Sequence, residues 1–314
     1  MVHAAMSSPA PPARTPAPFL HRLIFKDARF RPSLRIVLYI VVAFVALAML
    51  DGFVASIGQG PWQALAERAA ACAALVAIAV LFRRFLDRRS EASLGLSLRV
   101  AWLRLACIGA LLGAGMQCAL FGIDELLGFS RVNGWSAPHL ELGGIVYIAA
   151  FLVVAALAEE FPIRGYILQN LWEEWGFWPA ALCTAALFAA LHLDNPHAHD
   201  QFWLTILGLF AYGIWTALSV RWTGSIWLAF GSHVAWNAFE GSVFGFPVSG
   251  AQLGARALVS QTTSGPAWFT GGGFGPEAGA GVAIALAIGL SVLYALRRAG
   301  LLRSAFDPRE AYAR

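Results

Sequence analysis

The chain has 314 residues, of which 59% are hydrophobic and only 13% charged, and its mean hydropathy is +0.65. Soluble domains carry about 25% charged residues and less apolar content, so a soluble globular domain is excluded and a polytopic membrane protein is expected. The net charge is +4, and all but one of the 22 basic residues are arginine, Lys26 being the exception. The placement of that charge says more than its size, and no nucleic-acid partner is expected.

Residues 1–35 form a Pro- and Ala-rich, then Arg-rich tail, expected to be largely disordered because such composition cannot build a core. Its stretch from about 20 to 35, basic and aromatic, suits the inner headgroup surface. Apolar runs follow at about 36–57, 69–86, 101–123, 143–164, 177–193, 201–220, 225–246 and 278–296. Each approximates the length that crosses a bilayer as a helix. The expected fold class is therefore all-α, with about eight transmembrane helices in one membrane domain over 36–300. Ala46-Leu-Ala48 resembles a cleavage site, but the long leader and the full spanning length of the run argue against a cleaved signal. Residues 247–276, with Gly271-Gly-Gly273, read as a flexible non-cytoplasmic loop. A short tail, 301–314, closes the chain. Cys72, Cys107, Cys118 and Cys183 all fall in spans without C-x-x-C spacing, and read as small buried packing residues.

Arginine placement orients the spans. With eight spans and both termini inside, nearly all basic residues lie in the tails, the loop after the second span, and at Arg164 and Arg221. Arg68, Arg131 and Arg256 are left for the other side. That asymmetry fits cytoplasmic termini in a cell membrane, expected to be a bacterial inner membrane.

Three polar insertions interrupt these runs. Glu159-Glu160-Phe-Pro-Ile-Arg164 ends the uncharged stretch 143–158, and Phe188-Ala-Ala-Leu-His192 and His233-Val-Ala-Trp-Asn237 follow. Ionisable groups at membrane depth are costly and usually functional. Residues four apart share a helix face, so Glu160 can pair with Arg164, Phe188 stands over His192, and His233 over Asn237. Glu159 is turned about 100° from Glu160 and left free for chemistry. Counted from a turn at Gly176, Glu159 and His192 lie about 25 and 24 Å along antiparallel helices, at nearly one level. His233, about 13 Å above the Thr223-Gly224 turn, does not match unless the chain kinks near Pro162 and 166–175 lies along the membrane surface. Each motif alone can be helix glue; the three together read as one site inside the bundle. His197 and His199 read as a loop without function. Glu173-Glu174 read as a solvated interfacial turn, and Asp51, Asp124, Glu125 and Glu240 as solvated span ends.

At these residues the chain resembles the CAAX-protease and bacteriocin-processing family of intramembrane proteases, known as CPBP or Abi. The pattern E-E-x-x-x-R, F-x-x-x-H, H-x-x-x-N is matched in order, over a core of about 141–245; Pro162-Ile163 stands where many members carry an aromatic residue before the arginine. The resemblance implies an endopeptidase acting on a membrane-associated peptide or protein. Carried over, Glu159 is the general base, His192 holds the water, His233 and Asn237 stabilise the oxyanion, and Glu160 with Arg164 holds the first helix. Members have also been described as metal-dependent, and a zinc ion held by Glu159, His192 and His233 stays open beside a metal-free water. The alternatives are a non-catalytic scaffold, a bacteriocin-immunity protein, and a small transporter. Nothing in the sequence singles out prenylated CAAX proteins as substrate.

Overall fold

A computed structural model of the chain describes residues 25–26, 29–54, 60–98, 101–135, 142–253 and 257–302. The disorder expected of the N-terminal tail up to about residue 18 and the 303–314 part of the C-terminal tail lie outside the described residues. Where the tail is described it forms a small antiparallel hairpin, β1 (Phe25–Lys26) with β2 (Arg29–Phe30).

The helices are α1 (Pro32–Val54), α2 (Pro61–Leu81), α3 (Trp102–Leu126), α4 (Leu142–Glu160), α5 (Leu168–Trp175), α6 (Phe177–Ala190), α7 (Phe202–Thr223), α8 (Trp227–Asn237), α9 (Ala267–Thr270) and α10 (Gly281–Arg298). The fold is all-α and the protein a polytopic membrane protein: every expected apolar run is helical over most of its described residues. Among the described residues six helical stretches are long and apolar enough to cross a bilayer, the longest being Leu142–Trp175. The two others fall short of the eight-span expectation. α6 has 14 residues, about 21 Å of rise against a hydrocarbon core of about 30 Å. α8 has 11, prolonged by a π-helix over Ala238–Val243. These two short helices carry or adjoin the second and third motifs.

Among the described residues three helices pass into π-helical turns, at Phe82–Leu86, Phe161–Ile167 and Ala238–Val243. The second begins at Phe161, one residue before Pro162, whose ring clashes with the carbonyl four residues back and offers no N–H. The chain then turns at Gly176, where φ is +85°, and α5 packs on α6.

Two small-residue contacts set the depth of the site. On α3, Gly109 and Gly113 are four apart on one face and press on the backbone of α8 at Leu228 and Ser232; Gly231 of α8 returns the contact at Ala106. A Cβ at any of the three would overlap a carbonyl oxygen. Small residues at this spacing let membrane helices approach backbone to backbone.

At one end of the bundle the carboxylate of Asp87 is a hub. It meets Arg35 at 2.6 Å and Arg83 at 3.0 Å, and accepts hydrogen bonds from Asn170 and Tyr166. Glu173 pairs with Arg89, and Glu174 with Arg31 and the Ser33 amide. The solvated reading of Glu173-Glu174 is therefore corrected: the Glu174 side chain is 4% exposed, and the two glutamates fasten α5 to the start of α1 and the end of α2. At the other end β3 (Ser130–Trp135) pairs antiparallel with β4 (Val259–Thr263), Ser130 opposite Thr263, with a bulge between Val132 and Gly134. The 247–276 connector thus holds β4 and α9 rather than being a structureless loop.

The cysteine reading is corrected in part. Cys72 is buried, but Cys107, Cys118 and Cys183 are exposed on the outer faces of their helices, where lipid rather than protein covers a small apolar side chain. Asp124 and Glu240 are also corrected. Both are buried, and Glu240 accepts a hydrogen bond from Gln117 of α3, because the π-turn after Asn237 carries it inward.

Candidate active site

The residues of the three motifs converge. α4 delivers Glu159 and Glu160 at its last turn, and its face toward the site repeats every four residues: Tyr147, Phe151, Ala155 and Glu159. Oε2 of Glu159 lies 3.7 Å from Nε2 of His192 and 3.9 Å from Nε2 of His233. The helical count from Gly176 therefore places Glu159 and His192 correctly. His233 is also brought level with Glu159; between Glu159 and the Gly176 turn the backbone leaves plain α-geometry, turning π-helical over Phe161–Ile167 before α5.

Glu160 behaves only partly as expected. It faces Arg164 at 3.4 Å, both fully buried, but its Oε1 also lies 3.0 Å from Nδ1 of His233. The glutamate read as purely a partner of Arg164 thus also grips the imidazole of another helix. The Arg164 guanidinium sits 4.4 Å from the centroid of the Phe188 ring, a cation over an aromatic face.

His192 stands just beyond α6, not within an apolar helix as expected. The His192 amide turns back to the carbonyl of Ala189, and the side chain takes over the free carbonyl of Phe188, with Nδ1 2.8 Å from it. Helix ends leave such carbonyls unsatisfied, so the capping contact fixes the ring. A carbonyl only accepts, so Nδ1 of His192 carries the proton; Glu160, paired with Arg164, accepts from Nδ1 of His233 in the same way. Both Nε2 atoms are left facing Glu159.

Asn237 lies on α8 four residues after His233 and lines the same pocket. The pocket encloses about 510 Å³. Its floor is Glu159, His192, His233 and Asn237, and its walls include Phe151, Leu191, Val248 and Leu253. One oxygen of Glu159 is buried with no hydrogen-bond partner among the described residues. Glu160 and Arg164 lie behind this floor, outside the pocket lining. Tyr212 of α7 packs its ring 5.8 Å from His233. His197 and His199 take no part: the first pairs with Asp200 at the surface and the second stacks on Phe202. Among the described residues no group of three His, Cys, Asp or Glu side chains is arranged to hold a metal ion. The tautomers are nonetheless those of zinc-ligating histidines, whose other ring nitrogen is held by a carboxylate or carbonyl.

A fold of apolar helices with a carboxylate and two histidines at the bottom of a pocket defines an intramembrane site. Residues 141–239 match the family model described as Type II CAAX prenyl endopeptidase Rce1-like. That segment contains all six motif residues, and over it the resemblance read from the motifs is borne out. The matched family is one of proteases. No curated protein and no solved structure matches the chain.

Proposed function

We propose that the protein is an intramembrane endopeptidase, hydrolysing a peptide bond of a membrane-associated peptide or protein with a water activated by Glu159. The observation that carries this reading is the unpartnered Glu159 oxygen facing two imidazoles whose tautomers are set from behind. A water between Glu159 and His192 gives its proton to the carboxylate as its oxygen bonds to the carbonyl carbon. The carbonyl oxygen becomes an oxyanion, stabilised by the Asn237 amide and by His233, which enters the step already protonated at both ring nitrogens, Nδ1–H held by Glu160 and Nε2–H turned to where charge develops. The C–N bond then breaks, and the Glu159 carboxyl returns its proton to the leaving amine. Glu160 and Arg164 act behind the floor as positioning residues, holding the His233 ring.

A second reading is favoured by the tautomers: a zinc ion held by Glu159, His192 and His233 would polarise the carbonyl or the attacking water. We favour the metal-free water, because no H-E-x-x-H pair is present and the two histidines come from separate parts of the chain. A scaffold or immunity protein of the same fold would need no free carboxylate in the pocket.

The test is comparison of membrane peptides from cells carrying the wild-type protein with those from cells carrying Glu159→Gln. Peptides that change only with the wild-type protein are expected; identical profiles, with both proteins equally expressed, would sink the protease reading.

A further inference from the structure

Away from the Glu159 pocket, a hollow of about 550 Å³ lies where the last turns of α7 and α10 meet. Arg221 of α7 and Arg297 of α10 both line it, and both are exposed. Each guanidinium rests on aromatic rings. Arg221 lies 4.3 Å from the centroid of Phe177 and 5.9 Å from that of Trp178, and Arg297 lies 4.9 Å from that of Trp222. Ring faces hold a cation in place but offer no oxygen to its N–H donors.

Arginine in a last helical turn is ordinary, because that helix end is partly negative. The absence of a counter-charge is what sets this pair apart. Phe177 follows the Gly176 turn, so the hollow is at the end of the bundle that holds Asp87, Glu173 and Glu174. Five arginines of that end, Arg31, Arg35, Arg83, Arg84 and Arg89, each face a carboxylate. Among the described residues Arg221 and Arg297 face none. Two cations in one hollow therefore wait for an anion.

The rest of the lining says which anion. Leu290 lies in it seven residues before Arg297, about 10 Å of helical rise deeper into the hydrocarbon, and Leu218 of α7 joins it. Trp178 and Tyr294, also in the lining and exposed, are rings of the kind that settle at the membrane interface. A free phosphate ion would use the two cations and leave the apolar wall bare. A phospholipid uses both, with its phosphodiester at the guanidinium groups and an acyl chain along Leu290. The uncompensated pair disfavours a headgroup that carries its own cation. The arginine-rich end of a membrane protein faces the cytoplasm, where the anionic lipids that basic pockets between helices hold are found.

We infer that Arg221 and Arg297 form a binding site for the phosphodiester of an anionic phospholipid of the cytoplasmic leaflet, seated between α7 and α10. Arginine forks match phosphate oxygens in shape and charge. The site shares no lining residue with the Glu159 pocket, and it stands or falls independently of the protease reading.

Trp178 and Trp222 line the site, so a brominated lipid that enters it quenches tryptophan fluorescence. Purified protein in detergent is titrated with brominated phosphatidylglycerol and, separately, with brominated phosphatidylcholine; quenching of the outer tryptophans is common to both. The anionic lipid should quench at a concentration at least about tenfold lower, the scale of one charge-assisted contact. Arg221→Gln and Arg297→Gln should each reduce that preference and together erase it, whereas Arg221→Lys should keep part of it. Arg298→Gln removes the same charge at the next position of α10, outside the hollow, and should leave the preference unchanged. Equal quenching by the two lipids overturns the site. So does an equal loss in Arg297→Gln and Arg298→Gln, which would mean diffuse surface charge. Inorganic phosphate at matched ionic strength should not displace the anionic lipid; displacement would assign the two arginines to a free phosphate ion and overturn the lipid.

Discussion

Nδ1 of His233 lies 3.0 Å from Oε1 of Glu160, and the same carboxylate faces Arg164 at 3.4 Å. Seventy-three positions separate the histidine from the glutamate, so this one carboxylate joins the first motif to the third. Its neighbour Glu159 turns the other way, into the pocket. Two adjacent glutamates thus have opposite surroundings, and their substitutions should have opposite signatures.

Glu159→Gln keeps the size of the side chain and removes only the ability to take a proton. Cleavage should fall by about 10²–10⁴-fold, the usual cost of losing a general base, with thermal unfolding in detergent close to wild type. A folded, fully active variant would show that Glu159 is not the base.

Glu160→Gln should act on stability first. It leaves the fully buried Arg164 without its carboxylate, and breaking a buried pair by removing one member costs about 3–5 kcal/mol. Glu160→Gln with Arg164→Gln should recover part of that loss but not activity, because the His233 ring is still released. Unfolding curves for the single and double variants, read beside cleavage, check both halves; full recovery of activity would remove Glu160 from any positioning role.

Gly113→Val should misplace α8, since a side chain there overlaps the Ser232 carbonyl. Overpacking typically costs about 1–3 kcal/mol, and the shift should carry His233 away from Glu159. Gly115→Val, with open space at the same helix, is the control and should behave as wild type.

Asp87→Asn should loosen the far end of the bundle. It removes the charge shared by buried Arg35 and Arg83, so a stability loss of about 3–5 kcal/mol is expected. Limited proteolysis should then release the N-terminal segment sooner than in wild type. Unchanged digestion would mean that Glu173 and Glu174 hold that segment alone.

Metal removal separates the two hydrolytic readings. Activity should survive exhaustive chelation, and elemental analysis should find no stoichiometric zinc. Loss on chelation with recovery on adding zinc would make Glu159, His192 and His233 ligands.

The membrane class and the helical character of all eight apolar runs were legible in the chain itself, because hydropathy is a local sum over consecutive residues. So was the composition of the site: a charge in an apolar run is visible without neighbours, and a four-residue spacing fixes a shared helix face. The level match of Glu159 and His192 followed from rise per residue and one turn at Gly176. What crosses between helices was not legible. That Glu160 grips His233, that Asp87 gathers two arginines, and that Glu240 turns inward to Gln117 each depend on which helix faces which. The Gly109-Ala-Leu-Leu-Gly113 spacing was a signal that could have placed α3 against α8. The lengths of α6 and α8 were decided by tertiary structure too. An apolar run ends in sequence where polarity rises, but a helix ends where a side chain or a packed neighbour takes its last carbonyls, as His192 does for Phe188.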